Sequence, residues 1–279
     1  MTGPPSSCGT GAPALELDSL IGMTRPRASP LGWSWLPRSW FDLARQAALW
    51  LSFVFAYQLV QAGAGHERGE ALANGLRVAD LEQDHVHGLL ELSLQQFARS
   101  YRVLDSTVAF IYWSSEFAVV AFALLWVYLR RHDSFASLRN TLIVTNLIAL
   151  PFFYAFPTAP PRTFPSLGFV DTLKHSSSLG NGHGLLPLPS NGYAAVPSLH
   201  SADALIIGVA LALLVRSRAR ALWLLWPAAV WFSVLATANH FWVDVAAGIV
   251  LAAVGVLVTQ ALTSLIRAGR FRQRAHLEA

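Results

Sequence analysis

Pro197-Ser198-Leu199-His200 and Asn239-His240-Phe241-Trp242-Val243-Asp244 are the stretches of this chain whose residue types and spacing can do covalent chemistry. His240 and Asp244 stand at i and i+4, which on a helix puts both on one face. A carboxylate there holds the imidazole's tautomer and stabilises its cation, leaving the other ring nitrogen to act as a nucleophile. Ser198 directly precedes an apolar run and is placed as an N-cap. The free N–H groups and partial positive charge of a helix start suit a phosphate, which Ser198 and His200 can face. A third element, Pro160-Pro161-Arg162, lies upstream in a proline- and glycine-rich segment. Ionisable groups in apolar runs are expensive, so the gathering of His200, Asp203, His240 and Asp244 favours a site; the plain alternative is a set of satisfied contacts between helices.

The elements that must position these residues are membrane spans. Of 279 residues, 54% are hydrophobic and 13% charged, about half the charged share of an ordinary soluble domain. The mean hydropathy is +0.43. Apolar runs at roughly 44–64, 107–129, 138–156, 198–215, 221–238 and 241–266 are each long enough to cross a hydrocarbon core as helices. Lipid leaves no backbone group unpaired, so helices rather than strands follow. The expectation is an all-α, polytopic membrane bundle of six transmembrane helices. The polar stretch 65–106, with Leu76, Val78, Leu81, Leu89, Leu90, Leu92 and Phe97 among charges, predicts amphipathic helices in the first exoplasmic loop. Segment 157–197, with seven prolines and five glycines, predicts a loop without helix. Residues 1–40 predict a disordered cytoplasmic tail and an aromatic, basic approach through Trp33, Trp35, Arg38 and Trp40. The membrane domain then covers 41–268, and 269–279 is a basic cytoplasmic tail.

Basic residues set the sidedness. With six spans, one face receives fourteen arginines: Arg25, Arg27, Arg38 and Arg45, then Arg130, Arg131 and Arg139, then Arg216, Arg218 and Arg220, then Arg267, Arg270, Arg272 and Arg274. The other face receives six basic residues, Arg68, Arg77, Arg99, Arg102, Arg162 and Lys174. Lys and Arg in short loops stay cytoplasmic, so both termini are expected inside and all three chemical elements on the exoplasmic side of a cell membrane. Although the pI is near 9.6, a net charge of +4 spread in short clusters reads as topology signal, and no nucleic-acid partner is expected. Cys8 is the single cysteine and makes neither an intrachain disulfide nor a cysteine metal site.

Pro-Pro-Arg, then Pro-Ser-Leu-His, then His-x-x-x-Asp-x-x-x-Gly over six spans resembles the type-2 phosphatidic acid phosphatase superfamily, most closely its actinobacterial inositol phosphorylceramide synthase-like branch. The resemblance covers roughly residues 41 to 268, including Phe156-Pro157-Thr158-Ala159-Pro160-Pro161-Arg162 and Gly168-Phe169-Val170-Asp171-Thr172. It implies that His240 is the nucleophile forming a phosphohistidine, Asp244 the carboxylate orienting it, and His200 the general acid. It further implies Ser198 as a phosphate ligand, Arg162 as the charge clamp, a lipid phosphate as substrate, and neither metal nor organic cofactor. The chain departs from the pattern at three places. Nothing matches the first-motif lysine and Arg-Pro pair, Arg162 being followed by Thr163. Ser233 and Val234 stand where a Ser-Arg pair is usual, and Glu116 where this branch has a histidine.

Glu116 and Asp203 are candidate substrate contacts or polar contacts within the bundle. Asp171 can hold a hydroxyl-rich headgroup or form an Asx turn beside Thr172. Asp84-His85-Val86-His87 reads as a solvated loop rather than a zinc site, because i and i+2 do not share a helix face. His175 and His183 read as surface residues, and Trp223, Trp226 and Trp231 as lipid belt or packing. Gly248, with Ala246, Ala247, Ala252 and Ala253, permits close helix approach. The activity expected is hydrolysis or transfer of a lipid phosphate; the rival is a non-catalytic lipid binder or transporter that retains the fold.

Overall fold

The computed structural model describes residues 36–64, 68–86, 88–175 and 192–277. The N-terminal tail with Cys8, together with His87 and His183 and the side chains of Lys174 and His175, lies outside the described residues. The described chain is all-α, a bundle of helices with no strand. In chain order these are α1 (Trp40–Ala64), α2 (Arg68–Val86), α3 (Leu90–Arg99), α4 (Arg102–Glu116), α5 (Ala118–Arg130), α6 (His132–Ala155), the single turn α7 (Thr172–His175), α8 (Leu199–Leu214), α9 (Leu225–Ala236) and α10 (Trp242–Leu277). The last helix runs through the region expected as a tail, to Leu277. Tight 3-10 turns at Pro161–Thr163 and Pro165–Leu167, and α7, interrupt the segment expected to hold no helix. Proline in the first position of each 3-10 turn supplies the fixed φ.

Four stretches are long and apolar enough to cross a membrane: Trp40–Val60, His132–Ala155, Arg218–Ala236 and Trp242–Arg270. The α4–α5 pair makes a fifth if its 50° bend lies within one span. That bend follows Ser114 and Ser115, whose hydroxyls donate to the carbonyls of Ile111 and Tyr112. Such back-bonding bends helices. The remaining expected span is α8, only 16 residues long. It is about 24 Å at the helical rise.

Short as it is, α8 is the centre of the bundle, packed by α4, α5, α6, α9 and α10. Ala202, Ile206, Ile207, Ala210, Leu211 and Leu214 bury its length among Val127, Tyr128, Leu138, Leu142 and Leu251. Its C-terminal carbonyls are met by Arg131, whose Nε donates to Leu214 O at 2.8 Å. A cation there also opposes the negative end of the helix dipole. Polar ties across the bundle replace the hydrophobic drive that lipid does not supply. Tyr128 donates to Asp42 at 2.9 Å, Ser233 to Val108 O at 2.9 Å, and Asn146 to both Asp203 oxygens at 3.1 and 3.2 Å.

The amphipathic helices α2 and α3 form as expected and pack over the bundle through a mixed face, with Val78 buried and Leu89 and Leu92 partly so. Leu76, Leu81, Leu90 and Phe97 point outward, whereas Ala71, Asn74, Ala79 and Glu82 of α2 and Glu91, Gln95 and Ala98 of α3 are buried against the bundle. Small residues let α2 lie close to the proline-rich loop: a Cβ on Gly75 would sit 2.6 Å from Ala159 O. Asn74 Nδ2 donates to Pro157 O at 2.9 Å and Ala159 N to Ala71 O at 2.9 Å, so α2 holds that loop along its length.

At Gly208, a Cβ would approach Pro227 Cδ to 2.7 Å and Trp223 O to 2.9 Å, whereas Gly69 has nothing within 4 Å. Overpacking of this kind costs about 1–3 kcal/mol. Gly208→Ala should therefore lower the thermal unfolding midpoint in detergent by at least about 2 °C, while Gly69→Ala leaves it unchanged or raised. Equal midpoints for the two variants would show that α8 and α9 do not meet this closely.

Candidate active site

The junction between α9 and α10 sets the site. Helix α9 ends in a Schellman motif: Ala238 N donates to Leu235 O at 2.9 Å and Asn239 N to Val234 O at 3.0 Å. Ala238 has φ +53°, the left-handed region usually given to glycine. Its methyl is packed among Ala71, Ala79 and Phe241, which compensates the strain. The motif turns the chain abruptly, so that His240 emerges one residue before the next helix can start.

Helix α10 starts with one half of a capping box, Phe241 at the N-cap having no side-chain acceptor. Asp244 Oδ2 accepts from Phe241 N at 2.9 Å, as the third residue of a helix does for its N-cap. The same oxygen lies 3.3 Å from His240 Nδ1, and Ala195 O lies 3.0 Å from that nitrogen. Two acceptors around Nδ1 assign the proton to it, leaving Nε2 with a free lone pair. The ring is buried, and burial first, then the Arg162 charge, push the His240 pKa down to about 3 against a small opposing effect of Ala195 O. His240 is thus neutral at ordinary pH, the form a nucleophile needs.

His200 faces His240, ring centroids 5.7 Å apart. It is stacked on Tyr112, 4.5 Å between centroids and 16° between planes, and its buried Nε2 has Glu116 Oε2 3.7 Å away. Ser198 is the N-cap of α8 as expected, accepting from Ser201 N at 3.3 Å and Ser201 Oγ at 3.0 Å. Both acceptor positions of its hydroxyl are taken, which leaves the O–H to donate. The start of α8 is pinned to α10 through Ser198 N and Asp244 O, 3.1 Å apart. This approach is why glycine stands at 248, where a Cβ would collide with Ser198 O.

Arg162 comes from the proline-rich loop. Its backbone N–H bonds Ala238 O at 2.9 Å, and its guanidinium bonds Asn239 Oδ1, which is itself oriented by Thr237 Oγ1 at 2.8 Å. The loop closes on the site through Thr158 N to Tyr193 O at 2.7 Å and Ala195 N to Thr158 O at 3.3 Å. Gln95 fixes the next segment by donating to Val170 O at 2.8 Å and accepting from Val170 N at 3.0 Å. Asp171 follows, within electrostatic reach of Tyr112.

The structure therefore brings His240, Asp244, His200, Arg162 and Ser198 together, with Glu116 beside His200. Asp203, one turn along α8 from His200, is bonded to Asn146 between α8 and α6. His85 belongs to the last turn of α2 rather than a loop, its Nδ1 2.7 Å from Leu81 O. No group of three metal-ligating residues occurs among the described residues. Trp231 Nε1 reaches Ser201 O at 3.4 Å, and Trp226 and Trp231 pack on Val230 and Val234. Sequence reasoning missed five contributors. Tyr112 and Ala195 carry no motif, and Asn239 was read only as part of its element. Glu82 and Glu91, whose Oε1 atoms accept from Val243 N at 3.1 Å and Trp242 N at 2.6 Å, look in sequence like ordinary charges of an amphipathic stretch.

A family model described as the PAP2 superfamily matches residues 77–258, which include every residue of this cluster. No curated protein and no solved structure matches the chain.

Nitrogen NMR of histidine-labelled protein should find His240 neutral with its proton on Nδ1 well below the ordinary histidine value of 6.5. Arg162→Ala removes a positive charge that disfavours the imidazolium, so it should move His240 protonation to higher pH. A wild-type midpoint near 6.5, unmoved in the variant, would contradict the geometry.

Proposed function

The chain belongs to the PAP2 superfamily, and on that premise we propose that it is a membrane lipid-phosphate phosphatase or phosphotransferase working through a phosphohistidine at the exoplasmic face. The observation that carries the reading is His240: Nδ1 is held by Ala195 O and Asp244, and the ring faces His200 beside Arg162.

His240 Nε2 attacks phosphorus, a P–N bond forms, and the bond to the leaving oxygen breaks as His200 gives that oxygen its proton. Glu116, 3.7 Å from His200 Nε2, gives the imidazole a partner with which to exchange that proton. Water or an alcohol then attacks phosphorus and loses its proton to His200, and the P–N bond breaks. Arg162, the Ser198 hydroxyl and the backbone N–H groups at the start of α8 balance the phosphate charge. Asp171 and Glu116 are placed to meet the hydroxyls of a leaving or accepting group, while Asp203 acts through the α6–α8 contact. The residues call on neither a metal nor an organic cofactor.

Two observations bear on substrate and side. Val234 occupies the place of a family arginine and is buried among Val230 and Leu235, so the phosphate pocket has one guanidinium fewer. That balance suits a singly charged phosphodiester better than a dianionic monoester, which favours transfer of a substituted phosphoryl group, as in the synthase-like branch. As for side, Arg130, Arg131, Arg216, Arg218 and Arg220 lie where α5, α6, α8 and the Arg218 stretch meet, at the opposite ends of those helices from Ser198 and His240. Arginine favours the cytoplasmic side, which supports an exoplasmic site.

The test incubates purified protein in detergent, without divalent metal, with phosphatidic acid, polyprenyl diphosphate and phosphatidylinositol in turn. Free phosphate and new phosphodiester lipids are both assayed. His240→Ala should lower turnover on the order of 10³-fold or more and His200→Gln about 10²–10⁴-fold. Phosphate release lost in His240→Ala identifies a phosphatase; a new phosphodiester lost in it identifies a transferase. Lipid movement by His240→Ala at the wild-type rate, with no turnover by either protein, would support the non-catalytic rival.

A further inference from the structure

Glu82 and Glu91 are fully buried, on different helices, outside the reacting cluster. Each spends Oε1 on the first turn of α10, Glu91 on Trp242 N and Glu82 on Val243 N. With Asp244 on Phe241 N, three successive backbone N–H groups end on three carboxyl groups from three helices. Such N–H groups have no partner within their own helix. The remaining oxygens, Oε2 of Glu82 and Oε2 of Glu91, are buried with no donor, and the two carboxyls, held on successive N–H groups, act on each other's charge.

Two carboxylates held on neighbouring N–H groups away from water cannot both keep their charge cheaply, whereas one proton between them makes a donor of one and an acceptor of the other. We propose that Glu82 and Glu91 share one proton and, so joined, lock the first turn of α10, making them positioning residues for the His240–Asp244 dyad. The pair then carries one negative charge on the positive end of the α10 dipole, where an anion is stabilised. The chain of contact is short: Trp242 and Val243 lie directly between His240 and Asp244.

Burial raises both carboxyls above the ordinary range, Glu82 to about 9, with the Glu91 charge as the second cause for Glu82. The leading charges acting on the pair are its own two members, on α2 and α3, and Asp244 on α10. Glu82 thus rises from 4.5 to about 9 on folding. Between those values the folded protein binds the extra proton, so its stabilising effect is complete below about 4.5 and is lost as pH rises through about 9.

The dyad's role rests on the function proposed above; the shared proton does not, and the experiment separates them. Full-length wild type, Glu82→Gln, Glu91→Gln, Glu82→Ala and Glu91→Ala are compared in detergent. The unfolding midpoint is followed against pH, together with kcat and KM on the best substrate from the preceding assay. A single glutamine reproduces the shared proton permanently: its amide oxygen accepts the backbone N–H and its NH2 donates to the remaining carboxylate. Glu82→Gln should keep neutral-pH kcat within about twofold and lose the wild type's decline in midpoint and kcat towards pH 9. The alanine variants should lower kcat about 10- to 100-fold with KM little changed, since small misplacement of a reacting group costs up to about 10². A glutamine variant whose midpoint falls with pH as the wild type's does would overturn the shared proton. Alanine variants with wild-type kcat would overturn the positioning role. If the wild type turns over no substrate, the proposed function fails, and the midpoint profiles still decide the proton.

Discussion

The start of a helix inside a protein leaves backbone N–H groups that water cannot reach, and the first turn of α10 is where this chain meets that constraint. Phe241, Trp242 and Val243 give their N–H groups to Asp244, Glu91 and Glu82 in turn. Every carboxyl of this set has a second consequence. Asp244 also orients His240, while Glu82 and Glu91 tie α2 and α3 to the bundle, and α2 in turn holds the loop that carries Arg162. The requirement to satisfy one helix start therefore links His240, helices α2 and α3 and the loop that carries Arg162. An apolar residue at 82 or 91 would leave a buried donor unpaired, at about 1–3 kcal/mol, and would loosen the reacting geometry as well.

Close backbone approach is the second organising feature. Gly248 lets α10 touch the Ser198 carbonyl, Gly75 lets α2 touch Ala159, and Gly208 lets α8 touch the Trp223 and Pro227 region. All three contacts involve α8 or the proline-rich loop, the elements that present His200, Ser198 and Arg162. Small residues in spans are usually credited with helix association. Here they also fix where reacting groups stand, because the start of α8 can reach Asp244 O only while Gly248 has no side chain.

What the sequence disclosed follows from the range of the forces involved. His240 with Asp244, and Ser198 as an N-cap, are local patterns of period four or three; Ser198 caps α8 as read, whereas His240 meets Asp244 from the turn before α10 rather than from a shared helix face. Apolar runs gave the membrane bundle for the same reason. The 50° break after Glu116 was not visible, since it arises from serine back-bonding in a run that is otherwise continuously apolar. Which face of α2 and α3 is buried was not legible, because Asn74, Glu82, Glu91 and Gln95 turn inward where close packing and acceptors for N–H groups are needed, while Leu76, Leu81, Leu90 and Phe97 turn outward. Tyr112 and Ala195 act through tertiary contact alone, at separations of 88 and 45 residues from His200 and His240. No local pattern encodes them.

The charges of the site form a consistent whole around Val234, which stands where the resembled pattern has an arginine. With Val234 in the core, its carbonyl accepts from Asn239 and His240 N–H groups, so this position contributes backbone rather than charge. Asn239 is thereby held where its side-chain oxygen takes the Arg162 guanidinium. One arginine, anchored from the loop at both its backbone and its side chain, thus stands in a region where Asp244, Glu116 and the Glu82–Glu91 pair are all acidic. Had both carboxyls of that pair been ionised, the field opposing an incoming phosphate would be larger by a full charge close to the dyad. A shared proton removes that charge while keeping both backbone caps, which reconciles an acid-rich setting with an anionic substrate.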